Sequence, residues 1–255
     1  MDTVMAAVPV IPMRKEPAHR AEMISQLLFG EIAERIEDKD GFTWVKNTYD
    51  GYEGWCQSNQ LLPITENNLE TNNRQLTASW TDIVTLNQQP MHVSLGSPLQ
   101  VFQNGKAELG NHHFTFQGNA WNLNGASPLE ASIKHISFQF INTPYLWGGR
   151  SVFGIDCSGF VQQVFRFFNI PISRDAYQQA MEGEAIGFLQ EAKCGDLAFF
   201  DNEEGRIIHV GLLYNADTIV HAAGKVRMDK IDNMGIVNTD TGERTHRLRI
   251  IKRYY

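Results

Sequence analysis

A chain of 255 residues, 42% hydrophobic and 20% charged, has the composition of an ordinary folded protein with room for one large domain or two to three small ones. A formal net charge of −7 argues against a basic surface of the kind that holds nucleic acid, acidic lipid or teichoic acid. The three cysteines, Cys56, Cys157 and Cys194, cannot all pair with one another and show no Cys-x-x-Cys spacing, which suits a reducing compartment.

The first nine residues lack a basic leader segment, and their apolar stretch is broken by Pro9 and Pro12. No apolar run reaches the roughly 18 residues of a membrane helix. The expectation is a cytoplasmic protein without membrane contact; a leader lying outside this sequence would make it periplasmic or exported instead. Residues 27–31 and the alternating 42–46 predict strands, 49–52 a turn, and Gly54-Trp55-Cys56 the start of another strand. Such spacing predicts a small β-barrel over residues 1–65. Residues 65–74 are polar, rich in Asn and Thr, and read as a linker.

A second β-rich unit within residues 66–127 has strands at 91–99 and 101–102, a turn at Asn104-Gly105, and alternation again at 114–116. From residue 128 the pattern changes. Residues 129–142 predict a helix, and Cys157 opens another. Phe160, Val161, Val164, Phe165 and Phe168 follow it on one helical face, and Asn169-Ile170-Pro171 ends it. Strands at 196–200, 207–214 and 218–222 follow. Helices succeeded by an antiparallel sheet make residues 128–255 an α+β domain.

The chemistry concentrates at Asp156-Cys157-Ser158-Gly159. A cysteine in the first turn of a helix meets backbone N–H groups and the positive end of the dipole, which favours a thiolate. If Asn215-Ala216-Asp217 is a three-residue hairpin loop, Gly211 pairs with His221, and His209 and His221 become diagonal neighbours on one face of the sheet. Cys157 is then a nucleophile, His209 its general base, and His221 the group that orients the base. A catalytic zinc on Cys157, His209 and His221 is the competing reading. A zinc-bound thiolate has no need of a helix start preceded by Asp and followed by Ser-Gly, so no metal and no cofactor are expected. Cys56 and Cys194 read as structural thiols, and His92, His112 and His113 as solvated side chains.

Residues from about 133 to 255 resemble the NlpC/p60 family of bacterial cell-wall cysteine peptidases. The motifs that carry the resemblance are Tyr145-Leu146-Trp147-Gly148-Gly149, Asp156-Cys157-Ser158-Gly159-Phe160 and Ser173-Arg174-Asp175. Gly195-Asp196-Leu197-Ala198-Phe199-Phe200, His209-Val210-Gly211 and His221-Ala222 complete the set in order. The front half is similar to bacterial SH3-like domains, clearest at Tyr52-Glu53-Gly54-Trp55. The implied architecture is a papain-like catalytic domain behind small SH3-like barrels, a pairing typical of γ-D-glutamyl-L-diamino acid endopeptidases.

The resemblance implies cleavage of the γ-D-Glu–diamino acid bond in murein peptides that begin with a free L-Ala, in peptide recycling. The third residue of the substrate, diaminopimelate or lysine, is left open. Tyr145 would face the oxyanion, where one donor contributes about 3 kcal/mol of transition-state stabilisation. Asp156 and Ser158 would line the substrate's N-terminal side. A carboxylate that an N-capped substrate leaves desolvated and unpaired would select the free amine. Tyr52 and Glu31 match the residues with which the first SH3-like domain limits the substrate. The expected partner is a murein tripeptide or related muropeptide as substrate, with no nucleic acid and no membrane, and a monomer is expected. Two other readings stand beside this one: a non-catalytic wall-binding module, and a Cys-His amidase or acyltransferase acting on another acyl substrate.

Overall fold

A computed structural model of the chain describes residues 2–70 and 73–255, which form two compact units. One comprises Met1–Ala126 with Trp147–Phe153, the other Ser127–Leu146 with Gly154–Tyr255.

The N-terminal unit is built of antiparallel strands. Seven of them lie in the order Met23–Leu28, Val10–Arg14, Glu53–Gln57, Phe42–Asn47, Ile32–Lys39, Thr3–Ala6 and Leu61–Ile64. Alternating residues send Val4, Ile11, Met13, Leu27, Val45 and Cys56 into one core. A four-stranded sheet follows, in the order Gln89–Ser94, Thr81–Leu86, His112–Phe116 and Lys106–Leu109. A second core joins Met5, Phe29, Ile32 and Ile64 of the first sheet to Val84, Val93, Phe114 and Phe116 of the second. The two sheets therefore share buried apolar surface within this unit.

Several expectations change here. The first residues form the strands Thr3–Ala6 and Val10–Arg14, and the strand predicted over 91–99 stops at Ser94. Gly96, at φ 83°, turns the chain there, and Pro98 cannot donate to a ladder. Within the predicted linker, Glu66–Asn68 is a 3₁₀ turn with a capping box from Thr65 and Asn68. Leu69 packs against the second core, and the Asn73 amide donates to the carbonyls of Leu99 and Phe102 at 2.8 and 2.9 Å. The linker residues Thr71 and Asn72 lie outside the described residues. The turn at Asn104-Gly105 is as expected, with φ of 51° and 75°.

The C-terminal unit has the α+β content that the sequence predicts. Its helices are α1 (Glu130–Gln139), α2 (Cys157–Arg166) and the single turn α3 (Ala176–Gln179). All ten residues of α2 are buried, and the helix packs on the strands Ile207–Leu213 and Thr218–Ala223. Asn169, at φ 56°, stops the chain from continuing as helix. The sheet runs Glu184–Ile186, Arg244–Arg253, Leu197–Asp201, Ile207–Leu213, Thr218–Ala223, Lys225–Asp232, Gly235–Val237. Gly235–Val237 also pairs with Arg244–Arg253, so six of these strands close into a barrel. Three of its strands, Lys225–Asp232, Gly235–Val237 and Arg244–Arg253, are absent from the sequence reading.

Candidate active site

The site is assembled in the C-terminal unit from a helix start and one face of the barrel. Asp156 caps α2: its backbone is extended, and its Oδ1 accepts from the Gly159 amide at 2.7 Å, one of the donors a helix start leaves unsatisfied. The cap makes Cys157 the first helical residue. Since α2 lies on the strand Ile207–Leu213, the Cys157 sulfur meets the backbone there and accepts from the amides of Val210 and Ser158.

The hairpin has the register drawn from the sequence. Gly211 stands opposite His221, and the Tyr214 amide donates to the Thr218 carbonyl at 2.9 Å. His209 Nε2 and His221 Nδ1 lie 2.8 Å apart, with the two rings 83° from coplanar. A Cβ on Gly211 would come 2.9 Å from the Cβ of His221 and 2.7 Å from Cδ1 of Ile219. The isoleucine methyl can turn aside, but the histidine Cβ is fixed by the sheet. Gly211→Ala is therefore expected to lower kcat about tenfold to a hundredfold through misplacement of the imidazole, with only a small loss of thermal stability. An unchanged kcat would show that the ring pair does not depend on this gap.

Two groups that the sequence reading missed complete the cluster. Asp229, on the strand Lys225–Asp232, places Oδ2 2.9 Å from His221 Nε2. His246, on the closing strand Arg244–Arg253, stacks on His209 with centroids 4.1 Å apart and planes 24° from parallel. Val226, Asp229 and Ile231 are the buried residues of a strand that is otherwise largely charged or exposed. Its Lys225-Val226-Arg227-Met228-Asp229-Lys230 run has too many charges to read as a strand without its neighbours.

Burial decides the protonation states. It pushes the Cys157 thiol up to about 12, and the adjacent Asp156 carboxylate adds to the effect; the Val210 and Ser158 amides and Arg174 oppose it and lose. The thiolate expected from the helix start is thus not the resting form. Burial also holds His209 well below its usual range, with His221 and His246 adding to the shift, and it lowers His246 to about 4. At neutral pH the site holds a thiol beside the neutral imidazoles of His209 and His246.

The nitrogens of His209, His221 and His246 all lie within 4.8 Å of one another. However, His209 Nε2 and His221 Nδ1 face each other at hydrogen-bond distance, and a zinc about 2.0 Å from both would be held at an angle of about 90°, well short of tetrahedral. The near-parallel stack of His209 and His246 does not converge two lone pairs on one point. The arrangement is a hydrogen-bonded relay.

Tyr145 adjoins the helix start: its amide donates to the Gly224 carbonyl at 2.9 Å, and it bridges to Ile155. Burial, with the neighbouring Cys157 and Asp156, pushes its hydroxyl up to about 12, so it stays a donor. Ser158 is buried, and its hydroxyl accepts from Arg174 at 2.9 Å. Asp156 corrects an expectation. Its oxygens are paired with Arg174 at 3.0 and 2.6 Å, so an N-capped substrate would not leave the carboxylate unpaired.

Glu31 and Tyr52 belong to the N-terminal unit. The Glu31 carboxylate is buried and takes both terminal nitrogens of Arg150, at 2.9 and 3.1 Å, and the Leu28 amide at 3.0 Å. Tyr52 is half-buried against the core that contains Val4 and Leu27. Cys56 and Cys194 are buried free thiols; His92 and His113 are exposed, and His112 is half-buried.

Residues 142–245 match the NlpC/P60 family, and residues 13–61 match the bacterial dipeptidyl-peptidase SH3 domain. The chain is 46% identical over 85 residues to a gamma-D-glutamyl-L-lysine dipeptidyl-peptidase of Bacillus subtilis, a stretch that covers 32% of this chain and 28% of that protein. It is 27% identical over 253 residues to the protein of the same name in Bacillus cereus, covering 87% of this chain and 74% of the relative. A solved NlpC/P60 family protein of Bacillus cereus superposes with a TM-score of 0.81 over 99% of both chains at 19% identity, a likeness of fold. A bacterial dipeptidyl-peptidase SH3 domain is thus joined, in one chain, to an NlpC/P60 domain.

Proposed function

We propose that this protein is a cysteine peptidase that hydrolyses the γ-D-glutamyl–diamino acid bond of murein peptides with a free N-terminal L-Ala, acting in peptide recycling. The observation that carries the chemistry is the 2.8 Å contact between His209 and His221 on the strand face against which the Cys157 helix start is packed. Support for the bond comes from the likeness, along most of the chain, to a protein named for γ-D-glutamyl-L-lysine cleavage.

In this reading Cys157 attacks the carbonyl carbon of the γ-D-glutamyl residue as its proton passes to His209. The Tyr145 hydroxyl donates to the developing oxyanion. When the C–N bond breaks, His209 returns the proton to the departing amine. Water, deprotonated by His209, then attacks the thioester carbonyl; the C–S bond breaks, the dipeptide leaves as its acid, and the sulfur takes the proton back from His209. His221 holds the His209 ring throughout. The substrate's ammonium would join an ion pair already formed by Asp156 and Arg174, near Ser158. Glu31, already engaged by Arg150, is the weakest of the assigned substrate contacts. The protein acts as a monomer in the cytoplasm, where its three free cysteines meet a reducing milieu.

The test is hydrolysis of L-Ala-γ-D-Glu-L-Lys, of its meso-diaminopimelate counterpart, and of the N-acetylated form of each. Because Asp156 is already neutralised, the free amine is expected to be preferred about tenfold to a hundredfold, the value of one charged hydrogen bond. Equal cleavage of free and acetylated peptides would remove the amine from the specificity. Failure to cut any of them would remove the bond assignment.

A further inference from the structure

We propose that Asp229 is a positioning residue that sets the tautomer of the imidazole relay and thereby decides which nitrogen of His209 takes a proton from Cys157. Only this last step rests on the proposed cysteine chemistry. The remainder follows from the hydrogen-bond geometry of the C-terminal unit.

The Asp229 carboxylate is 3% exposed and surrounded by donors. Its Oδ1 accepts from the Thr239 amide at 2.8 Å and from Arg227 Nη2 at 2.9 Å. Its Oδ2 lies 2.8 Å from Arg227 Nε and 2.9 Å from His221 Nε2. Arg227 is braced in turn by Asn238 Oδ1 at 3.0 Å and Asp240 Oδ2 at 2.8 Å, so one loop holds both the carboxylate and its counter-ion. Burial by itself would raise the carboxyl, but the bonds from His221, Thr239 and Arg227 outweigh it and hold the group below the usual carboxylate range.

An ionised carboxylate only accepts, so His221 must present N–H at Nε2. In the neutral form of His221 this is the one N–H of the ring, which leaves Nδ1 as an acceptor. The group facing that acceptor at 2.8 Å, His209 Nε2, must therefore donate. His209 then keeps its lone pair on Nδ1, the nitrogen that His221 does not occupy. One carboxylate two residues behind the base thus selects Nδ1 of His209 as the proton acceptor.

The experiment reads imidazole tautomers by ¹⁵N NMR in full-length Cys157→Ala protein, with and without Asp229→Asn. Nε2–H on both His209 and His221 is expected in the parent. In the asparagine variant the side-chain amide donates to His221 Nε2, and both rings switch to Nδ1–H. Without the Cys157 change, Asp229→Asn is expected to slow alkylation of Cys157 by iodoacetamide about tenfold or more, with the melting temperature within a few degrees of the parent. An Nδ1–H tautomer on His221 in the parent overturns the proposal, even if the variant does not fold. So do unchanged tautomers in a folded variant. Neither readout uses a substrate, so a wrong peptide assignment leaves the test intact.

Discussion

Cys157→Ala is expected to lower turnover of a susceptible murein peptide by about 10⁴-fold or more while the fold is kept, because one atom at the start of α2 carries the bond-making step. The side chain is small and 8% exposed, so its loss removes little packing. Circular dichroism and the melting temperature of the variant check that point beside the rate. The same residue gives a test of protonation state in the parent. With burial pushing the thiol up to about 12 and His209 held neutral, the alkylation rate of Cys157 should go on rising above about pH 9. A preformed thiolate–imidazolium pair would instead give a plateau across neutral pH. A plateau would mean that the helix start and the Arg174 charge outweigh burial. Full activity in Cys157→Ala would remove the cysteine mechanism altogether.

Glu31→Ala should destabilise the N-terminal unit by about 3–5 kcal/mol, since it leaves the guanidinium of Arg150 buried without its anion. The two side chains are 1% and 0% exposed and meet at 2.9 Å. For a unit of this size that corresponds to a fall in melting temperature on the order of 10 °C, measurable by calorimetry. Glu31→Leu combined with Arg150→Met should recover much of the loss, because apolar groups of similar volume require no counter-charge. This pair of variants separates two roles for Glu31. A substrate contact would raise KM at unchanged stability, whereas a buried ion pair moves the melting transition first. The geometry favours the second.

The helix start at Cys157 was legible in the sequence because its signals are local. Asp156 supplies the cap, and apolar residues recur on one face from Phe160 to Phe168. The hairpin joining His209 to His221 was legible for a similar reason: a three-residue loop and the twofold period of a strand fix which side chains share a face. Asp229, Arg227 and His246 escaped because nothing local marks them. Lys225–Asp232 and Arg244–Arg253 are rich in charge, and they become strands only because each pairs with neighbours on both sides. Arg174 stood in a recognisable motif, yet its pairing with Asp156, 18 residues earlier, needed the folded chain.

The sequence by itself determined the fold class, the position of the sulfur at a helix start, and the pairing of the two imidazoles, each of which follows from capping or from strand period. Only the tertiary structure decided the closed barrel, the protonation of the site and the partners of its carboxylates. Burial and charge pairing are sums over residues distant in the chain, and no local pattern contains them. Those sums keep Cys157 a thiol at rest, neutralise Asp156 with Arg174, and place Asp229 behind His221.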